Sequence, residues 1–346
     1  MAERNELIGE FLRAAGWGGA VRAPLAGDAS FRRYERLAEG TETAVLMDAP
    51  PPQEDVRPFL AIARHLAGLG YSAPQILAED PQAGLLLLED LGDGTYTRIL
   101  ADAPAGAAQS TEHDLYALAV DLLVDLHRRP ADQALPAGVA AYDAARLLDE
   151  ALLLTDWYLP AVSGRPTIGA ARGAYEAAWR EALGPVLEAA PTLVLRDYHV
   201  DNLMWLPERE GIGACGLLDF QDAVAGAAAY DLMSLLEDAR RDIAPELKAA
   251  MWARYMDAFP DLGPGAAGRD AFETQFAVLA AQRHAKVIGI FTRLFVRDAK
   301  PDYLVHIPRV WKLLEGHMGH PALAPVARWF AEHVPAELRR VPEAGE

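Results

Sequence analysis

LVLRDYHVDNLMWL, residues 193–206, sets two apolar runs around a polar centre that holds Arg196, Asp197, His199, Asp201 and Asn202. Short turns between buried strands commonly rely on Gly. This one has none and instead concentrates an Arg, a His and two carboxylates. LMWL (203–206) and GLLDF (216–220) read as two strands joined by PEREGIG. In antiparallel pairing, residues just before the first strand lie opposite residues late in the second, which sets Asn202 against Asp219. An amide oxygen and a carboxylate side by side suit a hard divalent cation such as Mg²⁺. Asp197, five residues before Asn202, is placed to orient or deprotonate a hydroxyl. The loop is read as holding a metal-bound phosphate and the alcohol that attacks it.

The rest of the chain bounds this reading. With 346 residues, two lobes are the expected organisation. The formal charge of −18 disfavours nucleic acid and anionic membrane, which bind through Lys and Arg. The one cysteine, Cys215, allows neither an internal disulfide nor a thiolate metal cluster. The N-terminal AERNELIGEFLRAAG has helical spacing and lacks the basic start of a signal peptide. A cytoplasmic monomer is expected, with no nucleic-acid or membrane partner.

Upstream, VRAPL, FRRYERL, TAVLMDA and the stretch from Ile76 to Asp90 read as strands of a small antiparallel sheet. VRPFLAIARHLAGLG between them has helical spacing and a closing Gly. From Gly94 the pattern turns helical, and EALLLTDWYLP is expected to end a helix at its proline. Asp231 falls at an N-cap position with a structural role expected, capping its helix and bracing the loop. The expected fold is α+β, with a nucleotide-binding lobe at residues 1–92 and a helical lobe at 93–346 carrying the catalytic loop and acceptor site.

Arg196-Asp197, four residues, Asn202, a hairpin and Asp219 together resemble the catalytic core of the protein-kinase-like fold, and most closely the aminoglycoside phosphotransferase superfamily. The resemblance implies ATP and Mg²⁺ as cofactors, Asp197 as catalytic base beside Arg196, and Asn202 and Asp219 as metal ligands. It puts His199 where relatives touch the transferred phosphate. LAGDASFRRY, with Ser30, would cover the nucleotide phosphates, and LLLLEDLGD would offer main chain of Glu89 and Leu91 to adenine. The third-strand Lys of such kinases is missing, since AVLMDAP offers Met47 and Asp48. Arg32 or Arg33 is expected to replace it, and strand alternation allows only one of them to face the ligand. A helix follows Asp219 almost at once, which leaves no room for a protein-substrate platform and argues for a small-molecule acceptor.

GDASFRRY, MDAPP, GLLLLEDLGD, TDWYLP, LLDFQDAVAG, YDLMSLLEDARRD and the series from Gln282 to Arg309 are similar to one branch of that superfamily. That branch phosphorylates the anomeric C1 hydroxyl of N-acetylmuramate and N-acetylglucosamine in cell-wall recycling. Candidate acceptor contacts are Trp157 and Tyr158, whose rings could stack on a sugar, together with Asp222, Arg283 and Arg293. The last two lie on a basic island: residues 283–312 hold seven Lys/Arg against two Asp. An anionic group on the acceptor, such as a lactyl carboxylate, would explain it. The alternatives are a kinase of an aminoglycoside, choline, homoserine or another sugar, and an inactive binding module of the same fold, for which the absent Lys speaks.

Overall fold

The computed structural model describes residues 2–25, 31–104 and 106–343. By compactness the chain divides into two units, Met1–Leu122 with His199–Ala223, and Leu123–Tyr198 with Val224–Glu346. The strands in chain order are β1 (Val21–Pro24), β2 (Arg33–Glu39), β3 (Glu42–Asp48), β4 (Ile76–Asp80), β5 (Leu85–Glu89), β6 (Pro191–Val194), β7 (Leu203–Trp205), β8 (Cys215–Leu217) and β9 (Val224–Ala227).

The first unit is built on a five-stranded antiparallel sheet of order β1-β2-β3-β5-β4. Strand β5 has a continuous apolar run, lying between β3 and β4, and Leu85, Leu86, Leu87 and Leu88 are all buried. The N-terminal helix Ala2–Ala14 packs Ile8 and Leu12 with Leu37, Leu46, Leu85 and Leu87. Helix Arg57–Gly68 buries Phe59, Leu60, Ile62, Ala63 and Leu66, a single helical face. Gly84 closes the β4–β5 turn with φ 67°, and a Cβ there would fall 2.0 Å from the Ala49 carbonyl. The β7–β8 hairpin completes this unit. The Trp205 amide donates to the Gly94 carbonyl (2.7 Å), and the Leu217 amide to the Ser72 carbonyl (2.9 Å).

The second unit is helical around the short β6–β9 pair. Its long helix, Ala267–Asp298, buries most of its middle turns. Gly289 lets it lie against the helix Ala144–Leu153, since a Cβ would come within 2.4 Å of the Leu153 carbonyl carbon. The proline of TDWYLP does not end its helix, contrary to the sequence expectation. Residues Leu154–Tyr158 form a π turn, and Pro160 sits in the first turn of the segment Leu159–Ser163, where a missing N–H is tolerated. The Thr155 carbonyl, which Pro160 cannot serve in the π pattern, accepts the Thr167 hydroxyl instead. Among the described residues, no helix is long and apolar enough to cross a membrane.

Candidate active site

The quoted stretch runs from one unit into the other, and each part has its own scaffold. In the second unit β6 delivers the chain to Leu195, and the Asp197 amide donates back to the Leu195 carbonyl (2.9 Å). Between them Arg196 has φ 70°. A non-glycine residue there costs about 1–3 kcal/mol and persists only where its surroundings over-determine it. The surroundings do so here. Asp231, fully buried, accepts the Leu195 amide (2.7 Å) and the Arg196 amide (2.9 Å). The Ser234 hydroxyl donates to the Arg196 carbonyl (3.2 Å). Burial pushes Asp231 up to about 7, against the two amides that favour its ionised form. Asp231 is therefore not an N-cap. Helix Ala229–Leu236 is capped at Ala228 without a side-chain bond, and Asp231 lies inside its first turn, where its carboxylate faces the loop.

Sequence reasoning did not single out Glu150, on the helix Ala144–Leu153. Its carboxylate accepts the Arg196 guanidinium and the Tyr142 hydroxyl. Lys286 Nζ stands 3.0 Å from it. Burial alone would raise this acid, but Lys286 and Arg196 outweigh burial and hold it below the usual carboxylate range. The same charge raises Arg196 against its own desolvation.

In the first unit, a 3₁₀ turn at Val200–Asn202 leads into β7. The β7–β8 ladder pairs Leu203 with Leu217, and the Leu218 amide donates to the Asn202 carbonyl (2.9 Å). Asn202 thus stands opposite Leu218, one position from the expected Asp219, because β8 ends before Leu218. Asp219 turns out of the ladder with φ 56°. Its Oδ1 accepts Gln221 Nε2 (2.7 Å) and lies 3.6 Å from Arg32 Nη2. Phe220 is buried and stacks on Phe59 at 5.0 Å, which anchors the turn. His199 is buried, with Nε2 3.4 Å from Asn202 Nδ2. With the amide nitrogen turned to His199, the oxygen is the end that would ligate a cation. Two oxygen donors from one hairpin, Asn202 and Asp219, fit Mg²⁺.

The other expected site residues fall as follows. Arg32 approaches Asp219, whereas Arg33 opens β2 on an exposed position, so Arg32 is the cation brought to the acidic turn. Met47 is buried and Asp48 pairs with Arg4 of the N-terminal helix (2.6 Å), so β3 ends without a cation of its own. Ser30 lies outside the described residues. Glu89 ends β5, with its amide donating to the Gln75 carbonyl (2.8 Å) and its carboxylate paired with Arg209. Leu91 follows in a loop that Arg36 ties down through Asp90 and Asp93. Asp222 is exposed. Trp157 is half-buried on the π turn. Tyr158 is a correction: it is fully buried, and its hydroxyl donates to the carbonyls of Leu338 (2.6 Å) and Arg340 (2.8 Å), so no face of it is open to a sugar. Arg283 is buried and Arg293 half-buried. Nη1 of the first and Nε of the second have no hydrogen-bond partner among the described residues. Desolvation and Arg297 both lower Arg293.

Residues 21–267 match the family model described as the phosphotransferase enzyme family. The chain is 38% identical to an N-acetylmuramate/N-acetylglucosamine kinase of Caulobacter vibrioides, over 98% of this chain and 99% of that protein. It is 37% identical to one of Pseudomonas aeruginosa, over 94% of each. Among solved structures, the choline kinase LicA from Streptococcus pneumoniae superposes with a TM-score of 0.62 at 11% identity, covering 92% of this chain and all of that one. The ADP-bound aminoglycoside phosphotransferase APH(2'')-Ib gives 0.57 at 15% identity, over 91% and 97%. At such identities the two structures show the fold.

Proposed function

Because this chain belongs to the phosphotransferase enzyme family, we propose that it transfers the γ-phosphoryl group of ATP to the anomeric C1 hydroxyl of N-acetylmuramate and N-acetylglucosamine. The observation that carries this reading is the likeness, along nearly the whole chain, to kinases named for these two sugars. Asp197 takes the hydroxyl proton. An anomeric hydroxyl is more acidic than an ordinary alcohol, so a carboxylate is an adequate base, and positioning and charge neutralisation supply most of the rate. Asn202 and Asp219 would hold Mg²⁺, which when bound neutralises nucleotide phosphate charge. Arg32 takes over the missing Lys, supported by its approach to Asp219. His199 contacts the transferred phosphate. Main chain of Glu89 and Leu91 receives the base, and Ser30 the phosphates. Residues 1–92 serve the nucleotide, and 93–346 the catalytic loop and the acceptor.

On the acceptor side we assign Trp157, Asp222, Arg283 and Arg293. Arg283, Lys286 and Arg293 share a stripe about 80° wide on the long helix. A guanidinium nitrogen that is desolvated and lacks a partner favours an anion, and N-acetylmuramate brings a carboxylate. Incubation with ATP, Mg²⁺ and each sugar, followed by phosphorus NMR, tests the reaction. A C1 phosphate is expected, and phosphate on another hydroxyl or no sugar-dependent ATP consumption rejects the reading. Arg293→Ala should reduce kcat/KM for N-acetylmuramate by about tenfold or more. The loss on N-acetylglucosamine should be small, and equal losses on both sugars reject the carboxylate role.

A further inference from the structure

Several tethers hold Arg196. Asp231 holds its main-chain amide and Ser234 its carbonyl, and these two bonds leave its side chain unplaced. A third tether is Glu150, which lies 46 residues upstream and receives the guanidinium. Glu150 is itself fixed from three sides. Lys286 Nζ lies 3.0 Å away, Gln282 Nε2 donates at 3.3 Å, and the Tyr142 hydroxyl donates as well. The Arg196 guanidinium also lies over the Tyr142 ring, 5.6 Å from its centroid. Side-chain exposure is 15% for Arg196, 12% for Glu150 and 11% for Lys286, so these charges interact with little screening.

We propose that Glu150, steadied by Lys286, is a positioning residue for the phosphoryl transfer, acting through the Arg196 side chain to set the backbone from which Asp197 projects. This rests on the kinase reading above. The dihedrals of Arg196 set the direction in which the next residue, Asp197, projects. The left-handed conformation at 196 is a local high point that relaxes if one tether is lost. Two cations meet one carboxylate here. Neutralising the carboxylate leaves Arg196 and Lys286 facing one another, and repulsion then drives the guanidinium away. A displacement of an ångström at a reacting group costs about 100-fold in rate, while nucleotide binding need not change.

The test compares Glu150→Gln, which keeps shape and loses charge, with Glu150→Asp, which keeps charge. E150Q should lower kcat on the order of 100-fold, with the ATP dissociation constant within about threefold. Amide exchange in the peptide 193–199 should accelerate by roughly tenfold, with the β1–β5 sheet and the helices 144–153 and 267–298 unchanged. E150D should regain a large part of kcat. A kcat for E150Q within about threefold of wild type overturns the proposal. So does accelerated exchange throughout both helices, which would mark Glu150 as holding the fold alone. If E150Q does not fold, Lys286→Met supplies the measurement. About a tenfold fall in kcat with the same local exchange change is expected, and an unchanged kcat overturns the idea. Exchange needs no substrate, so failure of the kinase reading would appear separately, as absent transfer by the wild-type protein.

Discussion

The two units differ in where their buried acids do most to join distant elements. In the sheet unit several ion pairs are at the surface, as in Arg22–Glu35, Arg57–Asp55 and Arg64–Glu79, and such pairs contribute little. In the helical unit the acids that matter are buried and join distant elements. Asp231 holds the loop after β6, and Glu150 joins Arg196 to Lys286. Glu237 meets His284 at 2.7 Å and His317 at 2.9 Å. Burial would raise Glu237, yet the two histidines hold it well below the usual carboxylate range. The contrast repeats at the two strained turns. Arg196 is clamped by groups from two helices, Ala144–Leu153 and Ala229–Leu236, whereas the contacts of Asp219 include Gln221 of its own turn and Arg32. On the roles proposed above, a base must be fixed before its substrate arrives, and a cation ligand must accept and release its load, which a lighter hold suits.

The contrast is broken most severely at Asp231. Asp231→Ala leaves two buried amides without an acceptor, at about 1–3 kcal/mol each. Urea unfolding should show a loss of about 2–5 kcal/mol, and a loss under about 1 kcal/mol would mean the turn does not depend on this acid. Next in size is an acid sensitivity that His127 brings to the helical unit. Burial pushes His127 down to about 3, beside the Tyr255 hydroxyl at 2.7 Å. It stays neutral in the fold, while the unfolded chain takes up a proton below about 6.5. The contribution to stability is complete above that pH and is lost as pH falls towards 3. By pH 5 the loss is about 2 kcal/mol. His127→Gln should remove that part of the difference between urea midpoints at about pH 7.5 and 5, and an unaltered difference would reject the assignment.

The smallest effect sharpens the comparison of the turns. Asp219→Gly relieves the positive φ and gives up the contacts with Gln221 and Arg32. Its stability should stay within about 1 kcal/mol of wild type, on the stabilising side, while Mg²⁺-dependent nucleotide binding is lost. The same exchange at Arg196 should destabilise, because it leaves Glu150 facing Lys286 without its arginine. Urea titration of both variants decides this, and like responses would dissolve the distinction.

What the sequence made legible was local. Strand alternation, the turn at Gly84, the helix 57–68 and the hairpin after Asn202 all carry their signals within a few residues. The polar set Asp197, Asn202 and Asp219 could be proposed from the sequence because its members are close in the chain. Glu150 was not, because an acid in EALLLT looks like any solvated helix residue until a guanidinium 46 residues later is brought to it. Tyr158 was misread for the same reason, its partners being carbonyls at 338 and 340. The opposition of Asn202 and Asp219 missed by one residue because β8 stops at Leu217 and a left-handed residue follows. Pro160 was read as a stop because a π turn leaves no mark in composition.

The hairpin at 203–217 belongs to the same unit as a sheet completed by residue 89, more than a hundred positions earlier. On the ribosome that half of the molecule must wait, with the Ser72 and Gly94 carbonyls lacking their hairpin donors, until the second half of the chain has begun to emerge. A fragment ending at Leu122 would be a torso without its fastening. Dissecting this enzyme calls for circular permutation or two co-expressed pieces rather than a single cut.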